Sequence, residues 1–331
     1  MSSHLLAAVP RGEHFPILQP RTCTSDRVAR IPKILWQTGR GNSVREHNRM
    51  NASDFRRQRR LLQSDRIRTR YHNDSTAREF VRRHCPYAYN AYTCLLPHSY
   101  KADLWRYCVL WKRGGWYLDA EDELLVPLSS LPLRRCDTLM LVNDLCPAGY
   151  GADPKQEWKH CQTPAVQISL MAATPGHLFF RCALALLIRN VHRRVRGRGT
   201  LDTTGPVLSG ACLQHFHNQL SNYSMQLVLA PDVERNTNSG AGGSSSKPAG
   251  HVAIFHAQPI GNGHVNHTRV VRVHAWKGPN RPKESTYAAA WEAGRVFGDA
   301  TGGCALPPAT TARRWVPGSA SRLGRYWDMV V

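Results

Sequence analysis

The sequence predicts an α/β protein with a mostly parallel sheet flanked by helices, and three stretches carry this prediction. Residues 100–113 contain no Gly or Pro, are apolar on most faces and end in two basic residues. Gly114-Gly115 follows them, and this order is typical of a helix that ends at a glycine. Residues 116–118 and 31–38 are short aromatic and aliphatic runs, which favour buried strands.

The remaining elements are predicted from pattern and punctuation. We expect, in chain order, a helix at 51–64, a strand at 66–71, a helix from an N-cap in 74–76 to about 84, an irregular connection at 86–97, a strand at 137–143, helices at 164–174 and 177–194, strands at 252–255 and 269–273, and one short helix after 284. The Gly/Ser-rich stretch 236–250 predicts a flexible insert. The predicted organisation is a loose leader (1–28), one domain (29–280) and a C-terminal tail (281–331).

Four carboxylates follow the strand at 116–118: Asp119, Glu121, Asp122 and Glu123. They would repel one another unless a cation lay among them, and the carboxyl edge of an open α/β sheet is where ligands bind. Mg²⁺ and Mn²⁺ bind through one or two carboxylates together with substrate phosphates. Asp119 and Glu121 are two residues apart, so both can face one side. The alternative is a solvated acidic turn.

The chain is strongly basic, with 44 Lys and Arg against 23 Asp and Glu and a net charge of +21. Such a charge attracts anions: a nucleotide sugar, an acidic glycan, an anionic membrane surface or a nucleic acid. The arginines are spread over the whole chain, which favours solvated faces for most of them. Their densest runs carry no interleaved aromatic residues, and this argues against nucleic acid as a partner.

The compartment stays open at this point between an endomembrane lumen and the cytoplasm. The ten cysteines form no C-x-x-C pair, so a zinc site is not expected, and in a lumen some of them could pair. Four glycosylation sequons, at Asn51, Asn73, Asn222 and Asn266, mildly favour a lumen. Against this, the apolar run near residue 5 is only about five residues long, too short for a signal peptide or an anchor.

Three blocks of the central stretch resemble a known family: Asp-Leu-Trp-Arg-Tyr at 103–107, Gly-Gly-Trp-Tyr-Leu-Asp-Ala-Glu at 114–121 and Pro-Leu at 127–128. They look like the DXD-containing sugar transferases, the GT-A glycosyltransferase family 32 that includes yeast-type α-mannosyltransferases and inositol-phosphoceramide mannosyltransferases. Residues 31–38, the Thr-Gly-Pro turn at 204–206 and the His-x-Trp at 274–276 are similar to further family segments. Two positions depart from the family: Glu121 replaces the second Asp of the motif, and Trp36 replaces a His.

The resemblance implies a GT-A-type, nucleotide-diphospho-sugar transferase fold and a metal-dependent retaining glycosyltransferase that uses Mn²⁺ or Mg²⁺. The implied donor is GDP-mannose or a UDP-hexose, with mannose as the best guess. The implied acceptor is a glycan or a sphingolipid-type glycolipid, and the implied compartment is the Golgi or endomembrane lumen.

The resemblance also implies roles for individual residues. Those expected at the donor are Trp36, Gln37, Thr38, Asp103, Arg106, Thr204 and Gly205. Those expected at the metal are Asp119, Glu121 and His274. No residue is assigned as catalytic nucleophile.

Simpler interpretations remain open for several of these residues. Trp36 could fill the core, Asp103 and Arg106 could be a plain ion pair at i, i+3, and His274 could be structural, with His256 as a weaker substitute. For the whole chain, the alternatives are a catalytically impaired family member and a basic nucleic-acid-binding protein.

Overall fold

The structure is a computed structural model, and it describes residues 31–45, 52–131, 133, 137–143, 165–197, 199–220, 225–229, 251–256, 268–273, 287–299 and 304. The predicted leader (1–28) and the predicted insert (236–250) lie outside these residues.

The chain folds into alternating helices and strands. The helices are α1 (Ala52–Ser64), α2 (Asp74–His84), α3 (Pro86–Cys94), α4 (His98–Arg113), α5 (Leu178–His192), α6 (Pro206–Leu220) and α7 (Tyr287–Glu292). The strands are β1 (Ile34–Thr38), β2 (Arg68–His72), β3 (Gly115–Leu118), β4 (Asp122–Leu124), β5 (Leu139–Asn143), β6 (Val166–Ala173), β7 (Met225–Leu229), β8 (His251–His256) and β9 (Thr268–Val273).

Within the part of the chain that the structure describes, nine strands form one mixed sheet in the order β2-β1-β3-β6-β5-β7-β8-β9-β4. Among the first six, β2, β1, β3, β5 and β7 run in the same direction, and β6 is antiparallel between β3 and β5. Strands β8, β9 and β4 extend the sheet by antiparallel pairing. The predicted α/β class, with a mostly parallel arrangement of the first strands, is confirmed.

Helices cover both faces of the sheet. The larger core lies under α2 to α6 and includes Trp105, Tyr107 and Phe180, all fully buried. A smaller core on the other face includes Leu62 of α1 together with Leu118 and Leu124. Because β3, β5 and β6 carry apolar side chains toward both cores, these three strands read in sequence as continuous apolar runs.

The joint between α4 and β3 needs two glycines. Gly114 caps α4 with φ +60° and Gly115 has φ +95°, a region that other residues rarely adopt. A Cβ on Gly114 would lie 2.6 Å from the backbone nitrogen of Pro175. The indole nitrogen of Trp36 donates to the Gly114 carbonyl at 2.7 Å, which fixes β1 against this turn. The predicted helix end at Gly114 is confirmed.

The predicted helix at 164–174 is wrong, since this segment is strand β6. It pairs on one side with β3 and on the other with β5, and its side chains are buried almost throughout. A strand buried on both faces loses its alternation and reads as a mere apolar run, which periodicity cannot distinguish from a helix.

The predicted irregular connection at 86–97 is wrong as well, since most of it is helix α3. Pro86 stands in its first turn, where a missing N–H costs nothing, and Ala88, Ala91 and Tyr92 turn toward the core. The N-cap of α2 is also one residue earlier than predicted. Asn73, rather than residues 74–76, caps the helix by accepting from the Thr76 nitrogen at 3.0 Å.

Among the described residues, three disulfides tie the helices to one another and to Cys304: Cys85–Cys108, Cys94–Cys304 and Cys182–Cys212. The second joins the end of α3 to the segment after α7, so the predicted C-terminal tail is bonded to the domain at Cys304. Of the helices that the structure describes, none combines the length and the apolar character needed to cross a bilayer.

Candidate functional site

The site lies at the carboxyl edge of β3, where Asp119 follows the last residue of the strand. Strand β3 places Asp119 at this edge. Helix α4, which directly precedes β3 in the chain, carries Asp103 and Arg106. The loop before α6 brings Thr204 and Gly205. Three elements thus meet at one point, and the loop before α6 is distant in sequence from the other two.

The Arg106 guanidinium is the centre of the site. Its Nη2 lies 3.2 Å from Asp103 Oδ1 and 3.0 Å from Asp119 Oδ1, and its Nη1 donates to the Ile168 carbonyl at 2.7 Å. Its Cζ lies 4.6 Å from the centre of the Tyr117 ring, a cation–π distance. Arg106 is 4 % exposed, so the predicted pair with Asp103 is buried and is not a surface ion pair.

Asp103 connects this cluster to the Thr-Gly-Pro turn. It is fully buried, and its Oδ2 accepts from the Thr204 hydroxyl at 2.6 Å. A Cβ added to Gly205 would lie 3.7 Å from the same oxygen. The Tyr107 hydroxyl donates to the Thr204 carbonyl at 2.8 Å and thereby holds the turn. A ligand could contact Asp103 only after this turn had moved.

Asp119 is the accessible acid of the cluster. Its side chain is 33 % exposed, and the Tyr117 hydroxyl donates to its Oδ1 at 2.5 Å. Both the ion pair with Arg106 and the hydrogen bond from Tyr117 reach Oδ1 of Asp119. Tyr117 and Asp119 lie two residues apart, so the strand period places them on one face.

The acids after β3 suit a divalent cation that is completed by its ligand. Among the described residues no group of three or more His, Cys, Asp or Glu side chains could hold a metal alone. Asp119 and the half-buried Glu121 of the following turn offer two carboxylates. Mg²⁺ and Mn²⁺ bind in this way, through one or two carboxylates plus water and substrate phosphates. The residues present therefore fit such an ion.

The next two acids are buried. Asp122 is 2 % exposed, and its burial, together with the charge of Asp119, raises its pKa well above the ordinary value. Glu123 is fully buried and pairs with Arg57 of α1. Asp122 and Glu123 are therefore buried, whereas Asp119 and Glu121 are the more accessible of the four acids.

The first strand ends beside the site with three polar or aromatic residues that the sequence placed at the donor. Trp36 is 8 % exposed, and its indole N–H donates to the Gly114 carbonyl. The Thr38 hydroxyl donates to the His72 carbonyl at 2.8 Å. Gln37 is 1 % exposed, and its amide nitrogen has no hydrogen-bond partner among the described residues. Their contact with a donor stays a prediction.

His274 lies outside the described residues, so its role as a metal ligand stays a prediction. Tyr117 and the Ile168 carbonyl were missed. The two-residue spacing from Asp119 could have indicated Tyr117, but nothing in the sequence indicates a backbone carbonyl that arrives on an antiparallel strand.

A family model matches residues 47–137, and its description is a glycosyltransferase sugar-binding region containing a DXD motif. This segment resembles the sugar-binding part of glycosyltransferases. The match contains Asp103, Arg106, Asp119 and Glu121 and supports a glycosyltransferase; it ends before Thr204.

The comparisons with solved structures and with curated proteins give no close relative. One similar solved structure is titled PaToxG Glycosyltransferase, with 16 % sequence identity and a TM-score of 0.40 over 57 % of this chain and 71 % of that one. A likeness at this level bears on neither substrate nor mechanism. No curated protein is similar enough to be matched.

Proposed function

We propose that the chain is a metal-dependent, retaining glycosyltransferase that moves a hexose, with mannose as the best guess, from a nucleotide-diphosphate sugar to a glycan or glycolipid acceptor. The observation that carries the proposal is the cluster of Asp103, Arg106, Asp119 and Thr204 at the carboxyl edge of β3. Four separately predicted residues meet there, and the acid exposed among them belongs to the matched motif.

Asp119 and Glu121 would hold the Mn²⁺ or Mg²⁺ ion, which neutralises the charge of the leaving diphosphate when it is bound. Arg106 is a positioning residue in this arrangement. It fixes Asp119 Oδ1 by an ion pair and is itself fixed by Asp103 and the Ile168 carbonyl. The Asp119 side chain therefore needs little reorganisation when the donor arrives, which is how a preorganised site lowers a barrier.

Two properties of the chain support an anionic donor and an oxidising compartment. The donor is an anion, and the net charge of +21 raises its encounter rate with the protein. The three disulfides of the described residues favour an oxidising compartment such as the endomembrane lumen. The acceptor and the choice between GDP-mannose and a UDP-hexose come from the resemblance alone.

The test is hydrolysis of GDP-mannose and of UDP-glucose by the purified full chain, with and without Mn²⁺. We expect Mn²⁺-dependent release of the nucleoside diphosphate, and a loss of about a hundredfold or more in Asp119→Asn, the order found when a charge-stabilising group is removed. Glu121→Asp, which restores the family's second acid, should retain activity. Glu79→Gln, an exposed acid on α2, is the matched control.

Equal rates for Asp119→Asn and the wild type would refute the assignment of the metal ligands. Absence of hydrolysis in the wild type with every donor and metal would favour the impaired family member, since the site departs from the family at Glu121 and Trp36.

A further inference from the structure

Helix α1 has an inner face that is fixed to the protein. Leu62 packs in the smaller core, and the Oε1 of Gln58 accepts from the Leu124 nitrogen at 3.0 Å. Arg57 pairs with the buried Glu123. Both of these polar contacts reach β4, so the helix is held against the strand that follows the acids of the site.

The outer face of α1 is a strip of arginines, which we call the basic face of α1. Arg56, Arg59 and Arg60 are exposed, and their spacing of i, i+3 and i+4 places them side by side. In the part of the chain that the structure describes, none of the three forms an ion pair or a side-chain hydrogen bond. The one acid of the helix, Asp54, is buried and lies 3.2 Å from Arg57.

The basic face destabilises its own helix. Like charges three or four residues apart repel one another, and Arg56 has such neighbours in both Arg59 and Arg60. An exposed acid on the same face would offset this repulsion, but the exposed residues of α1 include none. An anionic surface against this face would offset it instead.

The chemistry of the basic face limits the kind of partner that it fits. None of the exposed residues of α1 is aromatic, and none is a large apolar residue. A surface that binds nucleic acid bases uses aromatic side chains for stacking, and a specific protein interface centres on anchors that fill pockets. An anionic lipid surface requires charge alone, because the potential of its headgroups attracts each Lys or Arg that lies near it.

We propose that the basic face of α1 docks the protein on an anionic phospholipid surface, by electrostatic attraction and without insertion. Because α1 is fixed to β4, docking also fixes the distance of β4 from the headgroups, at about 10 Å, the diameter of one helix. A glycolipid acceptor would lie in the same surface as the docked helix. This last step rests on the proposed function, whereas the docking itself requires neither the metal nor the transfer reaction.

The experiment is co-sedimentation of the full chain with vesicles of phosphatidylcholine, alone or mixed with phosphatidylserine, at low and high salt. Polyuridine RNA is the comparison polyanion. The docking variant combines Arg56→Gln, Arg59→Gln and Arg60→Gln. The matched control removes the same charge from three exposed arginines of α2 and α4, on the other face of the sheet: Arg82→Gln, Arg83→Gln and Arg113→Gln. Thermal unfolding checks the fold of both triple variants.

We expect the wild type to bind only the vesicles that contain phosphatidylserine, and to bind them less at high salt. Each arginine near such a surface contributes roughly fivefold, so the docking variant should bind about a hundredfold more weakly and the control within about threefold of the wild type.

Equal losses in the two triple variants would mean that the overall charge binds the vesicles, and this would overturn the proposal. Equal binding to neutral vesicles, or no binding to either kind, would overturn it as well. A larger loss of RNA binding than of vesicle binding in the docking variant would identify a nucleic-acid surface instead. Donor hydrolysis does not enter this experiment, so the two proposals can fail separately.

Discussion

The two charged regions at the carboxyl edge of the sheet differ in how their charges are satisfied. In the acid cluster, Arg106 lies within 3.2 Å of both Asp103 and Asp119, so the charges are paired inside the protein. The second region is the basic cavity, a cavity of about 700 Å³ that opens beside the ends of β1 and β2. Its lining holds one carboxylate, Asp74, which is paired with His98, and four cationic side chains: Arg40, Arg78, Lys101 and Arg295. The cluster pairs its charges within itself, whereas the lining of the cavity holds more cationic than anionic side chains.

The two regions therefore differ in what their charges do: the cluster fixes the positions of its side chains, and the cavity attracts anions. A buried, internally paired network holds its members in fixed places and is strongly perturbed when one member is lost. A surplus of cations on a partly exposed lining gives little rigidity, but it raises affinity for an anion and makes that affinity sensitive to salt. Variants in the cluster should therefore affect both stability and catalysis, whereas single variants in the cavity should affect ligand affinity alone.

The largest effect is expected for Arg106→Gln. It leaves Asp103 buried without its cationic partner, and breaking a buried pair in this way costs about 3 to 5 kcal/mol. We expect a corresponding drop in the free energy of unfolding, measured by denaturant titration, together with loss of donor hydrolysis. Arg82→Gln, which removes an exposed i, i+3 pair with Glu79, should leave the free energy of unfolding almost unchanged. Equal stability of the two variants would mean that the cluster is not a structural unit.

The disulfide at the cavity wall allows a comparison of the two regions. Cys94→Ser with Cys304→Ser should lower the free energy of unfolding by about 2 to 4 kcal/mol. It should also weaken the binding of GDP or UDP, because it frees the segment that carries Arg295 of the cavity lining. The matched control is Cys182→Ser with Cys212→Ser, which removes a disulfide between α5 and α6. If both double variants weaken nucleotide binding equally, this segment has no special role.

A smaller effect concerns pH and the scaffold. His177 caps α5 by accepting from the Phe179 nitrogen at 3.2 Å, and burial lowers its pKa to about 4. The unfolded chain binds this proton near the ordinary pKa of 6.5, so this part of the stability is complete above about pH 6.5. It is lost progressively as the pH falls toward 4, by about 2 to 3 kcal/mol at pH 4.5.

His177→Asn keeps a capping acceptor but does not titrate. Denaturant titrations at pH 7 and pH 4.5 should show that the variant loses about 2 to 3 kcal/mol less than the wild type over this interval. Any acid sensitivity that remains in the variant can then be sought in the carboxylates of the cluster. Parallel pH curves for the two proteins would contradict the assignment of His177.

The sequence predicted those features of the fold that depend on neighbouring residues in the chain. The end of α4 at Gly114 and the acid at the end of β3 follow from a glycine and from strand polarity, and both were placed correctly. Strand β6 was missed because it is buried between β3 and β5, and an apolar segment does not show which partners enclose it. Helix α3 was missed although Pro86 in its first turn was a usable signal.

The residues of the acid cluster could be predicted from the sequence, whereas the basic cavity could not. The motif predicted Asp103, Arg106, Asp119 and Thr204 as functional residues, and the structure brings them together. The basic cavity could not be predicted, because Arg40, Lys101 and Arg295 come from three distant segments. A charge of +21 spread over the chain gave no reason to single them out.

The most direct test of the central claim is the binding of Mn²⁺ by electron paramagnetic resonance, with and without GDP or UDP. Asp119 and Glu121 provide two carboxylates, so binding should be weak for Mn²⁺ alone and tighter when a diphosphate completes the ligand shell. We predict that the nucleotide lowers the free Mn²⁺ signal with the wild type, beyond its own chelation measured without protein, but not with Asp119→Asn. The same nucleotide-dependent binding of Mn²⁺ in both proteins would contradict the account.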